Sequence, residues 1–181
     1  MADRLRFVCN GSPVEVDAEP GESLLSVLRE RLLAISVKDG CAPQGQCGCC
    51  TVLVDGDPRV ACVTPATRVA GRSVTTVEGL DDATRDALAR GFVDTGGSQC
   101  GFCTPGIVMR AAAMMTKGRT ARVDLDRSLA AHLCRCTGWR TVYEAIDAAA
   151  SPVPPSPSRD LDAAGRRAAL EGGTPQRVGP D

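Results

Sequence analysis

Aromatic side chains are scarce in this chain, and neither sign of charge dominates. Phe, Trp and Tyr together make up 3% of its 181 residues, and 21 basic residues are balanced by 22 acidic ones, for a net charge of −1. Proteins that bind nucleic acid combine a basic surface with stacking aromatic rings. Neither feature is present, which excludes that class of function and leaves other proteins as the expected partners.

Long apolar runs are also missing, since no segment reaches the roughly 18 residues of a membrane-spanning helix. The N-terminal sequence MADRLRFVCNG contains no apolar signal region, no small-residue cleavage pattern and no pair of arginines. Nothing in it indicates export. We therefore expect a soluble protein of the cytoplasm, where thiols stay reduced.

Catalytic residue types are equally sparse. The chain has one histidine, His132, and no GxGxxG fingerprint. One histidine and scattered carboxylates do not assemble into a nucleophile with its base. We expect no substrate-converting active site on this chain.

Cysteine, in contrast, is abundant, with ten residues. Cys9 stands apart and is interpreted as a small buried side chain of a strand. A disulfide framework is one explanation of the others, but a reduced compartment and a chain long enough to build an apolar core favour metal binding. These nine form two groups, the first Cys41, Cys47, Cys49, Cys50 and Cys62, the second Cys100, Cys103, Cys134 and Cys136.

The first 78 residues have the pattern of a small α+β domain. Asn10-Gly11 and Asp55-Gly56 are dipeptides favoured in two-residue hairpin turns, and each separates two apolar segments. A helix is predicted from Ser23, its N-cap, because the leucines that follow recur on one helical face. Strands are predicted at 4–9, at 14–17, on both sides of Asp55-Gly56 and at 73–77.

From Gly79 onward an alanine-rich helical periodicity predicts an all-helical four-helix bundle over residues 79–150. Thr104-Pro105 is a favourable helix start, and Asp124 is a further candidate cap. The proline-serine run SPVPPSPS then predicts a flexible tail over 151–181. The predicted helices cover roughly 81–92, 104–116, 124–133 and 139–149.

The first cysteine group lies in a glycine-rich loop, GCAPQGQCGCCT, with Cys62 following on a strand pair. Glycines allow backbone N–H groups to approach the sulfides of an inorganic core. A four-cysteine zinc site is the alternative. Zinc ribbons, however, usually present paired CxxC segments, whereas this loop places its cysteines close together, which favours an iron-sulfur cluster.

The second cysteine group is predicted to lie between helix termini. Cys100 and Cys103 precede the helix predicted at Thr104, and Cys134 and Cys136 are placed at the end of another. The positive end of a helix dipole stabilises thiolates and an anionic core. A second cluster is therefore expected there.

Three segments carry a family resemblance: KDGCAPQGQCGCCTVLVDG, QCGFCTPG at 99–106 and LCRCTGW at 133–139. Together they resemble the small iron-sulfur subunits of the molybdenum hydroxylases, the xanthine oxidase family, over roughly residues 3–150. The resemblance implies an N-terminal β-grasp, ferredoxin-like domain at 1–78 with a distal 2Fe-2S cluster. A four-helix domain at 79–150 would hold the proximal 2Fe-2S cluster.

The resemblance also implies the ligands of each cluster. Five residues separate the first two loop cysteines, where the family usually has four. Cys49 stands where a small residue is usual and competes with Cys50, although the CGxC frame followed by Thr51 favours Cys50. The implied metal ligands are Cys41, Cys47, Cys50 and Cys62 for the distal cluster, and Cys100, Cys103, Cys134 and Cys136 for the proximal one.

Gln99 and His132 each have two interpretations. Gln99 matches a glutamine that contacts the pterin of the molybdenum cofactor; the alternative is a loop side chain bonded to nearby backbone. His132 precedes Leu133-Cys134 and either tunes the cluster by a hydrogen bond or is structural, the latter being favoured. The apolar run at 101–109 is predicted to form a docking surface.

The implied function is electron transfer within a multi-subunit oxidoreductase. Electrons would pass from a molybdopterin cofactor, in its cytosine dinucleotide form, on a large subunit to FAD on a medium subunit. The implied assembly is a dimer of heterotrimers. The alternative is a free-standing ferredoxin-type carrier, which the near-neutral charge disfavours because such carriers are strongly acidic.

Overall fold

The computed structural model of the chain describes residues 3–151. The tail predicted over 151–181 lies outside the described residues except for Ser151. No helix within residues 3–151 is both long and apolar enough to cross a membrane.

The chain begins with a hairpin of β1 (Asp3–Cys9) and β2 (Ser12–Ala18). Asn10 and Gly11 connect the strands with φ values of 50° and 80°. Positive φ at both turn positions matches the twist of antiparallel strands, and Asn-Gly is the dipeptide that tolerates it best. The predicted hairpin is therefore confirmed, with both strands longer than expected.

A second hairpin completes a mixed five-stranded sheet. It pairs β3 (Thr51–Val54) with β4 (Asp57–Val60) across the Asp55-Gly56 turn. The last strand, β5 (Ser73–Thr75), lies between the hairpins, parallel to β1 and antiparallel to β3. The sheet order is β2-β1-β5-β3-β4.

One helix covers the sheet. It starts at α1 (Leu24–Ser26) and continues as a π-helical turn over Val27–Arg31. Ser23 caps it as predicted, because its Oγ accepts the backbone N–H of Ser26 at 3.2 Å. The buried face joins the sheet core through Leu24, Leu25, Val27 and Leu28. A regular α-helix over this segment was the prediction, and the π turn replaces its second half.

The second half of the chain is helical. The observed helices agree with three predicted segments within about two residues, but the third prediction, 124–133, is wrong at its C-terminal end. That helix stops at Leu129, and Asp124 lies in its first turn instead of capping it. The helices are α2 (Asp82–Asp94), α3 (Thr104–Thr116), α4 (Arg122–Leu129) and α5 (Trp139–Ala150).

Helices α2 and α5 pack closely because a glycine lies between them. A Cβ added at Gly91 would lie 2.3 Å from the carbonyl oxygen of Ala145. The neighbouring core residues Leu88 and Ile146 are fully buried. Only glycine permits this distance between the helix backbones.

The sheet and the helices share a small apolar contact. Leu53 of β3 packs with Met109 and Ala113 of α3, and all three are buried. This contact fixes α3 against the sheet. The cysteine loop and the start of α3 are thereby brought to the same region.

We expect the substitution Gly91→Ala to destabilise the protein by about 1–3 kcal/mol, the usual cost of overpacking a well-packed core. The added methyl group cannot avoid the Ala145 carbonyl unless α2 and α5 separate. The matched control is Arg90→Ala on the exposed side of α2, which should change the stability by less than about 0.5 kcal/mol. Urea denaturation followed by circular dichroism measures both. Equal stability of the two variants would contradict the close packing described above.

Candidate metal centres

Nine of the ten cysteines gather at two places, while Cys9 lies in β1 within the sheet core and is buried. Burial raises the pKa of the Cys9 thiol, and Glu78 adds to the effect. The interpretation of Cys9 as a small buried apolar residue is confirmed.

In the loop before β3, Cys41 and Cys47 form the first thiol pair. The backbone N–H groups of Gln46 and Cys47 donate to Cys41 Sγ at 3.3 and 3.2 Å. Burial opposes ionisation of Cys41, but hydrogen bonds from the Cys47 side chain and from these backbone groups outweigh it and lower the pKa of Cys41. The loop therefore already directs N–H donors at a sulfur, as an iron-sulfur site requires.

Cys50 and Cys62 form the second pair, brought together by the β3-β4 hairpin. Cys50 immediately precedes β3, and Cys62 lies in a 3-10 turn directly after β4. The N–H of Cys62 donates to Cys50 Sγ at 3.4 Å, and the N–H of Ala61 donates to the Cys50 carbonyl at 3.2 Å. Both thiols are buried, and burial is the main reason that the pKa of Cys50 rises to about 12.

Cys49 lies beside these pairs but makes a different contact. Its S–H donates to the carbonyl of Cys47 at 3.6 Å, and its side chain is buried. Burial, followed by the neighbouring Cys47, raises its pKa to about 12. Cys49 is thus held by a backbone carbonyl, whereas Cys50 is paired with Cys62.

The second group also forms pairs, but closer to the surface. Cys100 and Cys136 are exposed, and Cys103 and Cys134 are partly buried. Hydrogen bonds from the backbone of Phe102 and from the Cys136 thiol lower the pKa of Cys100. Cys103, paired with Cys134, has its pKa raised to about 12 chiefly by burial.

Cys134 is the thiol of this group most disposed to ionise. Burial opposes the ionisation of Cys134. Hydrogen bonds from the side chain and the backbone of Thr137 outweigh this effect, and the pKa of Cys134 falls to about 7. The sulfur lies 3.1 Å from Thr137 Oγ1. Cys134 and Cys136 lie in the segment between α4 and α5 and do not end a helix, which corrects the sequence prediction. Cys103, in contrast, is the N-cap residue of α3.

Pairing of thiols suits a two-iron core, since each iron of a 2Fe-2S cluster takes two protein ligands. The first cysteine site, Cys41, Cys47, Cys50 and Cys62, contains two such pairs, as does the second cysteine site, Cys100, Cys103, Cys134 and Cys136. Within the described residues, no three His, Cys, Asp or Glu side chains converge as ligands of a single metal ion. The donor chemistry at both places therefore fits 2Fe-2S clusters.

Gln99 lies at the second cysteine site. Its side chain is exposed, and its Nε2 donates to the carbonyl of Cys136 at 3.4 Å. The structure thus places it beside an exposed thiol, where it bonds to local backbone.

The two cysteine sites meet at a junction formed by Gly48, Gly106, His132 and Leu133. The N–H of Leu133 donates to the carbonyl of Cys47 at 3.0 Å. A Cβ at Gly106 would lie 2.2 Å from the Gly48 carbonyl oxygen. The loop of the first site therefore touches both the start of α3 and the segment that bears Cys134.

His132 fills this junction. It is 2% exposed, and its Nε2 lies 3.4 Å from Thr51 Oγ1. A Cβ at Gly48, whose φ is +68°, would lie 2.5 Å from the imidazole ring. Burial, with a smaller contribution from Arg110, lowers the pKa of His132 to about 4, so the ring is neutral at neutral pH. The sequence did not indicate this contact, because Gly48 and His132 are far apart along the chain.

The prediction that residues 101–109 form an exposed docking surface is largely wrong. Ile107, Val108 and Met109 face the interior of the protein and are buried. Apolar residues that do remain exposed near the second cysteine site are Phe102, at 45%, and Leu133, at 62%. An exposed apolar surface therefore exists beside the second cysteine site, but it is formed by the loop that precedes α3 and by the segment that precedes Cys134.

Two family models match this chain. The model described as a 2Fe-2S iron-sulfur cluster binding domain matches residues 7–67, and a [2Fe-2S] binding domain matches residues 76–147. Each match contains one of the two cysteine sites. Both domains are therefore of types that bind 2Fe-2S clusters.

Several proteins are similar to the chain over most of its length. The xanthine dehydrogenase iron-sulfur-binding subunit of Escherichia coli O157:H7 is 39% identical over 141 residues, covering 76% of this chain and 87% of that protein. The nicotinate dehydrogenase small FeS subunit of Eubacterium barkeri is 35% identical over 139 residues, covering 76% and 88%. Among solved structures, a chain of quinoline 2-oxidoreductase from Pseudomonas putida 86 aligns with a TM-score of 0.72 at 34% identity, covering 94% of this chain and 98% of that one.

We expect Gly48→Ala to disturb the junction more than Gly101→Ala does. Both glycines have positive φ, +68° and +77°, but a Cβ at Gly101 meets no atom within 4 Å. The control therefore isolates the backbone strain, about 1–2 kcal/mol, and the difference between the variants reports the collision with His132. Thermal unfolding should show a lower Tm for Gly48→Ala. Adding His132→Ala to Gly48→Ala should recover part of that loss, and an absence of recovery would show that the ring is not the obstacle.

Proposed function

Because this chain belongs to the iron-sulfur subunits of the molybdenum hydroxylases, and thus forms part of an oxidoreductase complex, we propose that it relays electrons from a molybdopterin cofactor on one partner subunit to FAD on another. The observation that most supports this proposal is the direct contact between the two four-cysteine sites, made by the hydrogen bond from the Leu133 N–H to the Cys47 carbonyl. Bound 2Fe-2S clusters supply one-electron redox chemistry at each site. The chain itself positions them and buries three of the four cysteines of the first site.

The two cysteine sites are proposed to hold one cluster each. Cys50, rather than Cys49, is proposed as the third ligand of the first site, because Cys50 is paired with Cys62 while Cys49 donates to a backbone carbonyl. The proposed ligands are Cys41, Cys47, Cys50 and Cys62 at the first site and Cys100, Cys103, Cys134 and Cys136 at the second.

The proposed domains follow the change from sheet to helices. The last strand ends at Thr75 and the first of the four later helices starts at Asp82. A β-grasp domain over 1–78 and a four-helix bundle over 79–150 are consistent with these bounds.

The difference in exposure of the two sites supports an order of transfer. Cys100 and Cys136 are exposed, whereas Cys47, Cys50 and Cys62 are buried. The second site is therefore the one that can approach a cofactor held by a partner. Gln99, exposed beside Cys136, is proposed to contact the pterin of that cofactor by its amide.

The backbone provides a short connection between the sites. Leu133 is adjacent to Cys134, and its N–H donates to the carbonyl of Cys47. Two proposed ligands of different clusters are thereby joined by one peptide unit and one hydrogen bond. The buried side chain of His132 and the close backbone contact at Gly106 flank this connection, so the spacing between the sites is fixed by the fold.

The proposed complex contains two partners in the cytoplasm, a large subunit that binds molybdopterin and a medium subunit that binds FAD, assembled with this chain as a dimer of heterotrimers. The cytosine dinucleotide form of the molybdenum cofactor belongs to the same proposal. Exposed Phe102 and Leu133 beside the second site provide apolar area for docking. Substrate hydroxylation would then take place on the large subunit, with this chain non-catalytic.

A free-standing electron carrier is the second candidate. Diffusible carriers use strong charge for steering, and the net charge of −1 provides little. The similar proteins named above are subunits of larger enzymes, which also favours a permanent subunit.

Low-temperature electron paramagnetic resonance of the dithionite-reduced protein, purified with its partners, tests the cofactor content. We expect two distinct 2Fe-2S signals and about four irons per chain. Zinc quantification is the control. One signal with two irons would remove one of the two sites from the proposal, and zinc without any signal would overturn electron transfer altogether.

Neighbouring cysteines allow a matched test of the first site. We expect Cys50→Ala to lose one of the two signals and to lower the iron content to about two per chain, because one iron loses a ligand. Cys49→Ala, a substitution of an adjacent thiol that is equally buried, should keep both signals and about four irons. The reverse pattern would assign the ligand to Cys49.

A further inference from the structure

A small cleft lies on the helical half of the chain. It has a volume of about 140 Å³ and lies between α3, the turn that follows α3, and α4, with Pro58 of β4 at one side. Its polar lining consists of Arg110, Lys117, Arg119 and Ser128. Three cationic side chains and a hydroxyl thus share one cleft, and its lining within residues 3–151 contains no acidic side chain.

Two of the three cations have carboxylate partners. Lys117 Nζ lies 2.6 Å from Asp57 Oδ1, and Arg119 Nη2 lies 2.7 Å from Asp124 Oδ1. The lysine and arginine side chains are 47% and 60% exposed. Exposed pairs of this kind contribute little to stability and rearrange easily, so both cations remain available to a ligand in the cleft.

Arg110 is different because its charge has no counter-ion in the part of the chain that the structure describes. Within residues 3–151 it takes part in no salt bridge, and its buried Nε has no hydrogen-bond acceptor. Burial lowers the pKa of Arg110, but a guanidinium stays protonated in proteins. A partly buried cation without a partner is costly, and such groups are ordinarily paired.

From this geometry we propose that the cleft binds one tetrahedral oxyanion of the phosphate or sulfate class through Arg110, Lys117, Arg119 and Ser128. A guanidinium presents its N–H donors in a fork that matches two oxygens of such an anion. The ammonium and the hydroxyl add donors from other directions. The anion supplies the counter-ion that the Arg110 guanidinium lacks within residues 3–151.

The size of the cleft restricts the ligand. A water molecule occupies about 30 Å³ in the liquid, so 140 Å³ accommodates a five-atom oxyanion with a few waters. Clefts for larger organic ligands measure about 300–1,000 Å³. The cleft is therefore sized for a small anion and not for a whole nucleotide or dinucleotide.

Thermal unfolding of the full-length, cluster-containing protein provides the test. At constant pH and ionic strength, replacing chloride by phosphate should raise the Tm in a saturable way, because a ligand that binds only the folded state stabilises it. Titration calorimetry with phosphate should give one site per chain. Identical Tm values in both salts over the whole titration would overturn the proposal.

Two matched variants locate the site. Arg110→Met removes the guanidinium and keeps a long side chain, so the phosphate-dependent shift should disappear. Arg127→Met removes an exposed arginine of α4 that does not line the cleft, and the shift should persist. Equal loss in both variants would indicate general charge screening and contradict a site.

A third variant and a second anion extend the test. Ser128→Ala leaves the charge unchanged and should weaken phosphate binding several-fold, which keeps the test decisive if Arg110→Met folds poorly. Acetate at the same ionic strength separates a tetrahedral oxyanion from a carboxylate supplied by a partner protein. A Tm shift in acetate as large as that in phosphate would assign the cleft to a carboxylate and overturn the proposed ligand class.

Discussion

The close approach of two backbone segments at Gly48 and Gly106 is the constraint on which the rest of the arrangement depends. Neither position has room for a Cβ, which at Gly48 would collide with the His132 ring and at Gly106 with the Gly48 carbonyl oxygen. This contact allows the N–H of Leu133 to reach the Cys47 carbonyl, and it leaves room for the His132 ring against Gly48. The distance between the two cysteine sites is therefore set by glycine, and the apolar contact between β3 and α3 reinforces it.

The same fold gives the two sites different surroundings. The first site lies at the edge of the sheet core, where burial raises the pKa of Cys50 while backbone N–H donors lower that of Cys41. The second site lies at the surface, and Thr137 and nearby backbone groups lower the pKa of Cys134. Hydrogen bonding and solvent exposure both influence cluster potentials. Two clusters in one small chain can thus differ in potential without any difference in ligand type.

Local sequence signals predicted the local structure well. Asn10-Gly11 and Asp55-Gly56 specify turns with positive φ, and Ser23 specifies a cap, so both hairpins and the start of α1 could be predicted. The third predicted helix runs to 133, whereas the helix in the structure ends at Leu129. Leu133 is in fact exposed, and its N–H bonds to the first site. The segment after this helix thus contacts residues far away along the chain, and local periodicity does not report such a contact.

The grouping of the cysteines was visible in the sequence, but the packing between the two sites was not. The apolar run at 101–109 was the candidate docking surface because a permanent subunit is expected to expose one beside the second site, but the packing of α3 buries most of it. What remains exposed, Phe102 and Leu133, comes from two separate segments next to Cys100 and Cys134. An exposed thiol site with apolar neighbours, on a chain whose net charge is −1, suits a lasting contact, because apolar area stabilises a complex and charge mainly speeds encounter. The surface chemistry of the second site thus favours a permanent subunit over a diffusing carrier.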